Sequence, residues 1–239
     1  MPRLLRTLRF LLLLGLVGLI GWGIWERIAP KVEALPVTAT EPVPFDPAFI
    51  RLSASEIARL PIATRFDMPL GSEHGALTYN AQPFRVTRHL GDDLNGIGGY
   101  NSDLGDPVYA AAAGRVVFAG VPGQGWGNML IIAHRVRNVE TGELDVIQSM
   151  YAHLETLRVR PDQAVQRGEP LGTVGTGGGL YLAHLHFEIR LGPYINPSVG
   201  YADAPLNRVS PEHFVAQYRG AVAEALNAAP RLDRSSPEI

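Results

Sequence analysis

Ala183-His184-Leu185-His186-Phe187-Glu188-Ile189 is the stretch that decides the reading of this chain. Apolar Leu185, Phe187 and Ile189 alternate with His184, His186 and Glu188. A period of two is what a half-buried strand requires, because successive side chains point to opposite faces of a sheet. Two residues at about 3.3 Å each put the backbones of the two histidines roughly 7 Å apart, so both rings can lean toward one point in front of the sheet. That point is the candidate active site. A His-x-His strand alone fits a hydrogen-bonded structural pair as well as a metal or catalytic site, so the rest of the chain has to supply the remaining groups.

Composition narrows what those groups can be. The 239 residues include seven His and no Cys, so a zinc site here has to use imidazole and carboxylate ligands. The same absence of Cys rules out a disulfide framework and thiol chemistry without locating the protein, because it fits reducing and oxidising compartments alike. A net charge of −2 lacks the basic footprint that nucleic-acid binding calls for, and no nucleic-acid partner is expected. Lys31 is the sole lysine and lies outside the β-rich region, which argues against Schiff-base catalysis.

Arg3, Arg6 and Arg9 precede an uninterrupted apolar run from Phe10 to Trp25. As a helix this run covers about 24 Å, and Leu4, Leu5, Ile28 and snorkelling arginines extend it toward the ~30 Å hydrocarbon core. It has no polar face, and it ends in Gly21-Trp22-Gly23-Ile24-Trp25 rather than a small-x-small cleavage site. The expectation is an uncleaved single-pass anchor over 1–28, with its N-terminus in the cytoplasm and everything after it outside. Residues 29–65 carry Pro30, Pro36, Pro42, Pro44 and Pro47, read as an extended spacer, and Ser53 to Leu60, read as a short helix stopped by Pro61.

From residue 66 to 200 short β-branched runs alternate with glycine turns: 107–112, 114–119, 128–134, 150–154, 170–174 and 184–190. This spacing predicts a mainly β, largely antiparallel domain, with a long hairpin between Asn128 and Leu154 turning at Glu140-Thr141-Gly142-Glu143. Glycine-rich loops at 120–127 and 175–179 flank the strands, and neither is followed by the Gly-Lys-Ser/Thr of a phosphate loop. In residues 201–239, Ser210-Pro211 opens a C-terminal helix with Phe214, Tyr218 and Val222 on one stripe, and a polar tail follows.

Two further histidines carry candidate chemistry. In His89-Leu90-Gly91-Asp92-Asp93 an imidazole stands four residues before a carboxylate, a normal partial ligand set for zinc, and on composition Asp92 serves as well as Asp93. In Tyr151-Ala152-His153-Leu154 the imidazole closes a predicted strand.

His89-Leu-Gly-Asp-Asp93, Tyr151-Ala-His153-Leu and His184-Leu-His186-Phe-Glu188 occur in that order, joined by Gly105-Asp-Pro-Val-Tyr and Gly168-Glu-Pro-Leu-Gly172. Together they resemble the lysostaphin/LytM-type zinc metallopeptidases, which cut peptidoglycan peptides, over roughly residues 66–197. The resemblance implies an antiparallel β fold with the metal in a groove. It implies one zinc per chain held by His89, Asp93 and His186, with His153 and His184 as a catalytic pair whose individual roles stay open. With the apolar N-terminus it implies a bacterial inner-membrane protein, its domain in the periplasm or outside, acting on peptidoglycan peptides alone or with a wall-remodelling protein partner.

Three ligands leave a fourth position for a water whose pKa zinc lowers toward ~7, and nearby imidazoles can move its proton or stabilise an oxyanion. One departure is the long segment Leu94 to Leu104, which either walls the groove or forms a solvated loop. Two other functions compete. Some relatives of this kind lack the ligands and activate other wall hydrolases, whereas here every matched position is filled. Residues 165–172 also resemble the hammerhead of biotinyl and lipoyl carriers, but the lysine such carriers need is missing from the domain.

Overall fold

The structure is a computed structural model and describes residues 50–71 and 77–219. The expected anchor over 1–28, the spacer up to residue 49, Val222 and the polar tail lie outside the described residues. Among the described residues no helix is long and apolar enough to cross a membrane.

Helix α1 (Ala54–Arg59) and strand β1 (Ile62–Ala63) come first, followed by β2 (Thr78–Gln82), β3 (Asp92–Gly96), β4 (Pro107–Tyr109) and β5 (Gly114–Gly120). Then come β6 (Asn128–Arg137), β7 (Leu144–Leu157), β8 (Ala164–Val165), β9 (Pro170–Val174), β10 (Leu185–Leu191), β11 (Arg208–Val209) and helix α2 (Pro211–Tyr218). The main path of the sheet runs β2-β3-β10-β7-β6-β5-β8, and every pairing is antiparallel except β1 with β6. One edge of β10 pairs with β7, while the other pairs with β3 along Leu185–Phe187 and with β11 along Ile189–Arg190.

Local chemistry explains the ends of several elements. Ser53 accepts from the Glu56 amide while the Glu56 carboxylate accepts from the Ser53 amide, a reciprocal cap that starts α1 just before the stop at Pro61. Ser210 caps α2 with Pro211 in its first turn, and Phe214 and Tyr218 are buried. The β6–β7 hairpin turns over 138–143, where the Asn138 side chain accepts from the Glu140 and Thr141 amides and Gly142 takes a φ of 74°.

The strand β10 departs from the half-buried expectation. Its apolar face (Leu185, Phe187, Ile189) joins a core with Phe66, Leu130, Ile132, Tyr151 and Phe214. Its polar face is buried as well, with His186, Glu188 and Arg190 at 2%, 0% and 1% exposure. That second face of the sheet carries its own apolar cluster, including Leu52, Leu60, Met129, Ile131, Met150 and Ala152, and the segment around Ile195 covers it. Polar residues therefore stand in an interior, where each needs a partner.

His134, which the sequence left without a role, belongs to the first face, against Phe66 at 5.2 Å between ring centroids. Its Nδ1–H donates to the Ala113 carbonyl at 2.7 Å, and Nε2 lies 2.8 Å from Ser149 Oγ. Burial, opposed only by the Ala113 bond, holds its pKa down at about 4 from the ordinary 6.5. Above pH 6.5 the ring is neutral in both folded and unfolded chains. As pH falls from about 6.5 toward about 4 the unfolded chain takes up a proton that the folded chain refuses, so stability is lost across that window, on the order of 3 kcal/mol by its lower end. His134→Asn keeps a donor for Ala113 and removes the titration. Urea midpoints should fall less between pH 7 and pH 4.5 in this variant than in the parent chain, and an equal fall would remove His134 as the cause.

Candidate active site

Asp93 stands directly across the β3–β10 ladder from His186, and Ala152 of β7 faces His186 from the other side. His89 arrives from the segment before β3, which forms a bridge between His89 and Tyr201. Gly91 lets the strands close up, since a Cβ there would meet the Phe187 carbonyl oxygen at 2.6 Å and His186 Cε1 at 2.9 Å. Asp93 Oδ1 lies 3.2 Å from His89 Nε2 and 2.9 Å from His186 Nδ1, and the two nitrogens are 2.9 Å apart.

The far nitrogen of each ring fixes its tautomer. His89 Nδ1–H donates to the Gln82 carbonyl at 3.1 Å, and His186 Nε2–H donates to Glu188 Oε1 at 2.9 Å. Each ring therefore turns its other nitrogen toward the other ring and toward a carboxylate oxygen. Either a proton or a metal ion among these three atoms relieves their repulsion, and the carbonyl and carboxylate behind the rings are the usual supports of metal-bound imidazoles. Ligand atoms around a tetrahedral zinc with bonds of about 2.0–2.1 Å sit about 3.3 Å apart, close to the spacings here. The residues present fit zinc, with a fourth position left open.

The electrostatics agree. Burial disfavours charge on His186, but its bonds to Asp93 and Glu188 and the charges of both outweigh that and carry its pKa up to about 9. Burial likewise opposes charge on Asp93, yet bonds from His186 and His89 hold it far below the usual carboxylate range. Glu188 is held at about 2 against its burial, chiefly by the Arg190 charge and the His186 bond. The point between the rings thus favours positive charge.

Asp92 is excluded as a ligand by strand alternation. It faces away from Asp93, accepting from the Phe84 amide at 2.8 Å and from the Glu212 amide at the start of α2 at 3.1 Å.

His153 and His184 complete the group, with ring centroids 4.7 Å apart and His153 5.7 Å from His186. His184 precedes β10 rather than opening it, held by an isolated bridge to Gly175. Its Nδ1–H donates to the Leu182 carbonyl at 2.8 Å, which leaves Nε2 as an acceptor 3.7 Å from Asp93 Oδ1. His153 has a φ of 64°, a strained value for a residue with a Cβ, at a point where β7 shifts register against its neighbours. Its amide bonds to the Trp126 carbonyl at 2.8 Å and the Trp126 ring stacks on it at 6.1 Å. Burial and the nearby His186 and His184 push its pKa down to about 3, so this ring is neutral.

The five residues border a cavity of about 330 Å³ whose walls include Gln82, Gln124, Trp126, Tyr181 and Tyr201. The glycine loop at 120–127 therefore builds one wall. The segment Leu94–Leu104 does not line this cavity. Instead Asn95 donates to the Ala183 carbonyl and Asn101 accepts from the Ala183 amide, bracing the residue before His184. Glu188 was legible only as part of an alternation, and Gln82, Trp126 and Tyr201 had no sequence signal, since each is recruited from a distant segment.

Residues 95–197 match the family described as Peptidase family M23. Lipoprotein NlpD of Yersinia enterocolitica is 39% identical over 94 residues, covering 39% of this chain and 87% of that one. Murein hydrolase activator NlpD of Escherichia coli is 40% identical over 94 residues, covering 39% of this chain and 22% of that one. Cell division protein DipM of Caulobacter vibrioides is 34% identical over 102 residues, covering 43% and 15%. Much of the last two proteins thus has no counterpart here. Among solved structures, the catalytic domain of the antimicrobial peptidase lysostaphin from Staphylococcus simulans is similar at 22% identity and a TM-score of 0.41, covering 58% of this chain and 90% of that one.

Proposed function

The chain belongs to peptidase family M23, and from that premise we propose that it is a zinc-dependent endopeptidase hydrolysing cross-links or stem peptides of bacterial peptidoglycan. The observation that carries this reading is the convergence of His89 Nε2, Asp93 Oδ1 and His186 Nδ1, three potential ligand atoms within 3.2 Å of one another, with the far nitrogen of each ring already engaged by Gln82 or Glu188. One zinc per chain would be held there and, when bound, would supply a water of pKa about 7 and polarise the scissile carbonyl.

The chain's own groups take the remaining work. His184 Nε2, left as an acceptor by the bond to Leu182, takes the proton of the attacking water and returns it to the leaving amine. His153, neutral and stacked on Trp126, stabilises the oxyanion that develops on the carbonyl. Trp126, Tyr181 and Tyr201 orient the peptide in the cavity.

The second reading is an activator of another wall hydrolase, favoured by the name of the Escherichia coli relative. Incubating the purified chain with wall sacculi, with and without chelator, tests the choice. Chelator-sensitive release of peptide fragments, identified by mass, is the expected result. No release by zinc-loaded chain, with stimulation of a separate hydrolase, would establish the activator instead.

The place of action proposed is the outer side of the cytoplasmic membrane, with residues 1–28 as an uncleaved anchor. Two relatives are named as lipoproteins, and a mature chain starting after about residue 25 by mass would remove the anchor.

A further inference from the structure

Behind His186 lies a group of charges buried more deeply than any ordinary ion pair requires. Glu188, Arg190 and Arg208 are 0%, 1% and 4% exposed. Glu188 Oε2 accepts from Arg190 Nε at 2.6 Å and from Arg208 Nε at 3.1 Å, while Oε1 accepts from His186. One guanidinium would balance this carboxylate. A second adds a like charge to the interior, which costs stability unless it makes bonds that nothing else makes.

Those bonds run to the segment 196–199. Arg190 donates to the Asn196 carbonyl, and Arg208 Nη2 donates to the carbonyls of Ser198 at 3.1 Å and Val199 at 3.3 Å. Val199 has a φ of 66°, a conformation that a β-branched residue keeps only when its surroundings hold it there. The next residue, Gly200, packs so closely on Trp126 that a Cβ would lie 2.8 Å from that ring. The Gly200 carbonyl accepts from the Leu90 amide at 2.9 Å, and Tyr201 bridges to His89. From the strained residue the chain thus passes directly into the cavity wall and the partner of the other imidazole.

Resting on the zinc reading above, we propose that Arg208 is a positioning residue that joins both imidazole ligands and the cavity wall at Gly200–Tyr201 into one unit. Its planar fork reaches Glu188 through Nε and the two carbonyls through Nη2 at once. A lysine ammonium has the charge but not the fork, and can serve one side only.

Arg208→Lys in the full chain is the test, read by zinc affinity in chelator competition and by hydrogen exchange of the amides at 199–202. Zinc binding should weaken by about tenfold or more, the scale for loss of support behind a ligand, and those amides should exchange faster. A residue that only fills space would lower the unfolding midpoint while leaving zinc Kd alone. A folded variant with Kd within about twofold of the parent and unchanged exchange overturns the proposal. The parent chain provides an arm that needs no variant: adding zinc should slow exchange at 199–202 together with 89–93. Slowing at 89–93 alone overturns the coupling, whereas a parent chain that takes up no zinc overturns the zinc reading itself.

Discussion

His186→Ala should leave a folded chain that retains almost no zinc after dialysis and shows no hydrolysis above background. On the zinc reading proposed above the imidazole is one of three protein ligands, and its Nδ1 is 2.9 Å from the ligand atoms of both others. Losing it leaves His89 and Asp93, too few to hold zinc in a closed arrangement with one open position. Metal analysis and circular dichroism on the same sample check the result. The fold should survive, because the core is anchored on the opposite face of β10 by Leu185, Phe187 and Ile189. Stability should still fall, since Glu188 loses its donor at Oε1 while remaining fully buried. A folded His186→Ala protein with parental zinc content would mean that the metal, if any, sits elsewhere.

The companion result separates metal content from rate. His184→Ala and His153→Ala should each keep zinc near the parental level while turnover drops on the order of 10² or more, the scale for a proton-transfer or oxyanion group. Neither ring contributes an atom to the cluster of His89, Asp93 and His186, and His184 Nε2 lies 3.7 Å from Asp93 Oδ1. Zinc content and turnover measured side by side decide it. If His184→Ala loses zinc as fully as His186→Ala, both imidazoles of the His-x-His stretch are ligands and the proposed division of labour is wrong. If both variants hydrolyse wall peptides at the parental rate, the chemistry takes place elsewhere.

Much of the architecture can be read locally because it depends on local interactions. Alternation in 185–190, the short helix before Pro61, the Ser210 cap and the hairpin turning at Gly142 all need only neighbours within a few residues, and all occur as the sequence predicts. The strand β3 was not legible. Asp92-Asp93-Leu94-Asn95-Gly96 has little intrinsic strand preference and is extended because β2 and β10 flank it with hydrogen bonds.

The candidate site divides along the same line. Three short motifs in order single out the five residues as candidates through the resemblance they carry, and composition limits the chemistry open to a chain with seven histidines and no cysteine. Composition left Asp92 and Asp93 equivalent and only the resemblance pointed to Asp93, because adjacent strand residues differ only in the face they occupy, and the face depends on register against β10. Tertiary structure alone placed Asp93 opposite His186, turned Asp92 toward α2, and engaged the far nitrogens of His89 and His186 with Gln82 and Glu188. It alone brought Arg208 behind Glu188 from 20 residues away. Short motifs encode which groups can react. Which ring nitrogen faces the other two groups is set by hydrogen bonds and packing between segments far apart in the chain, and these exist only once the sheet has closed.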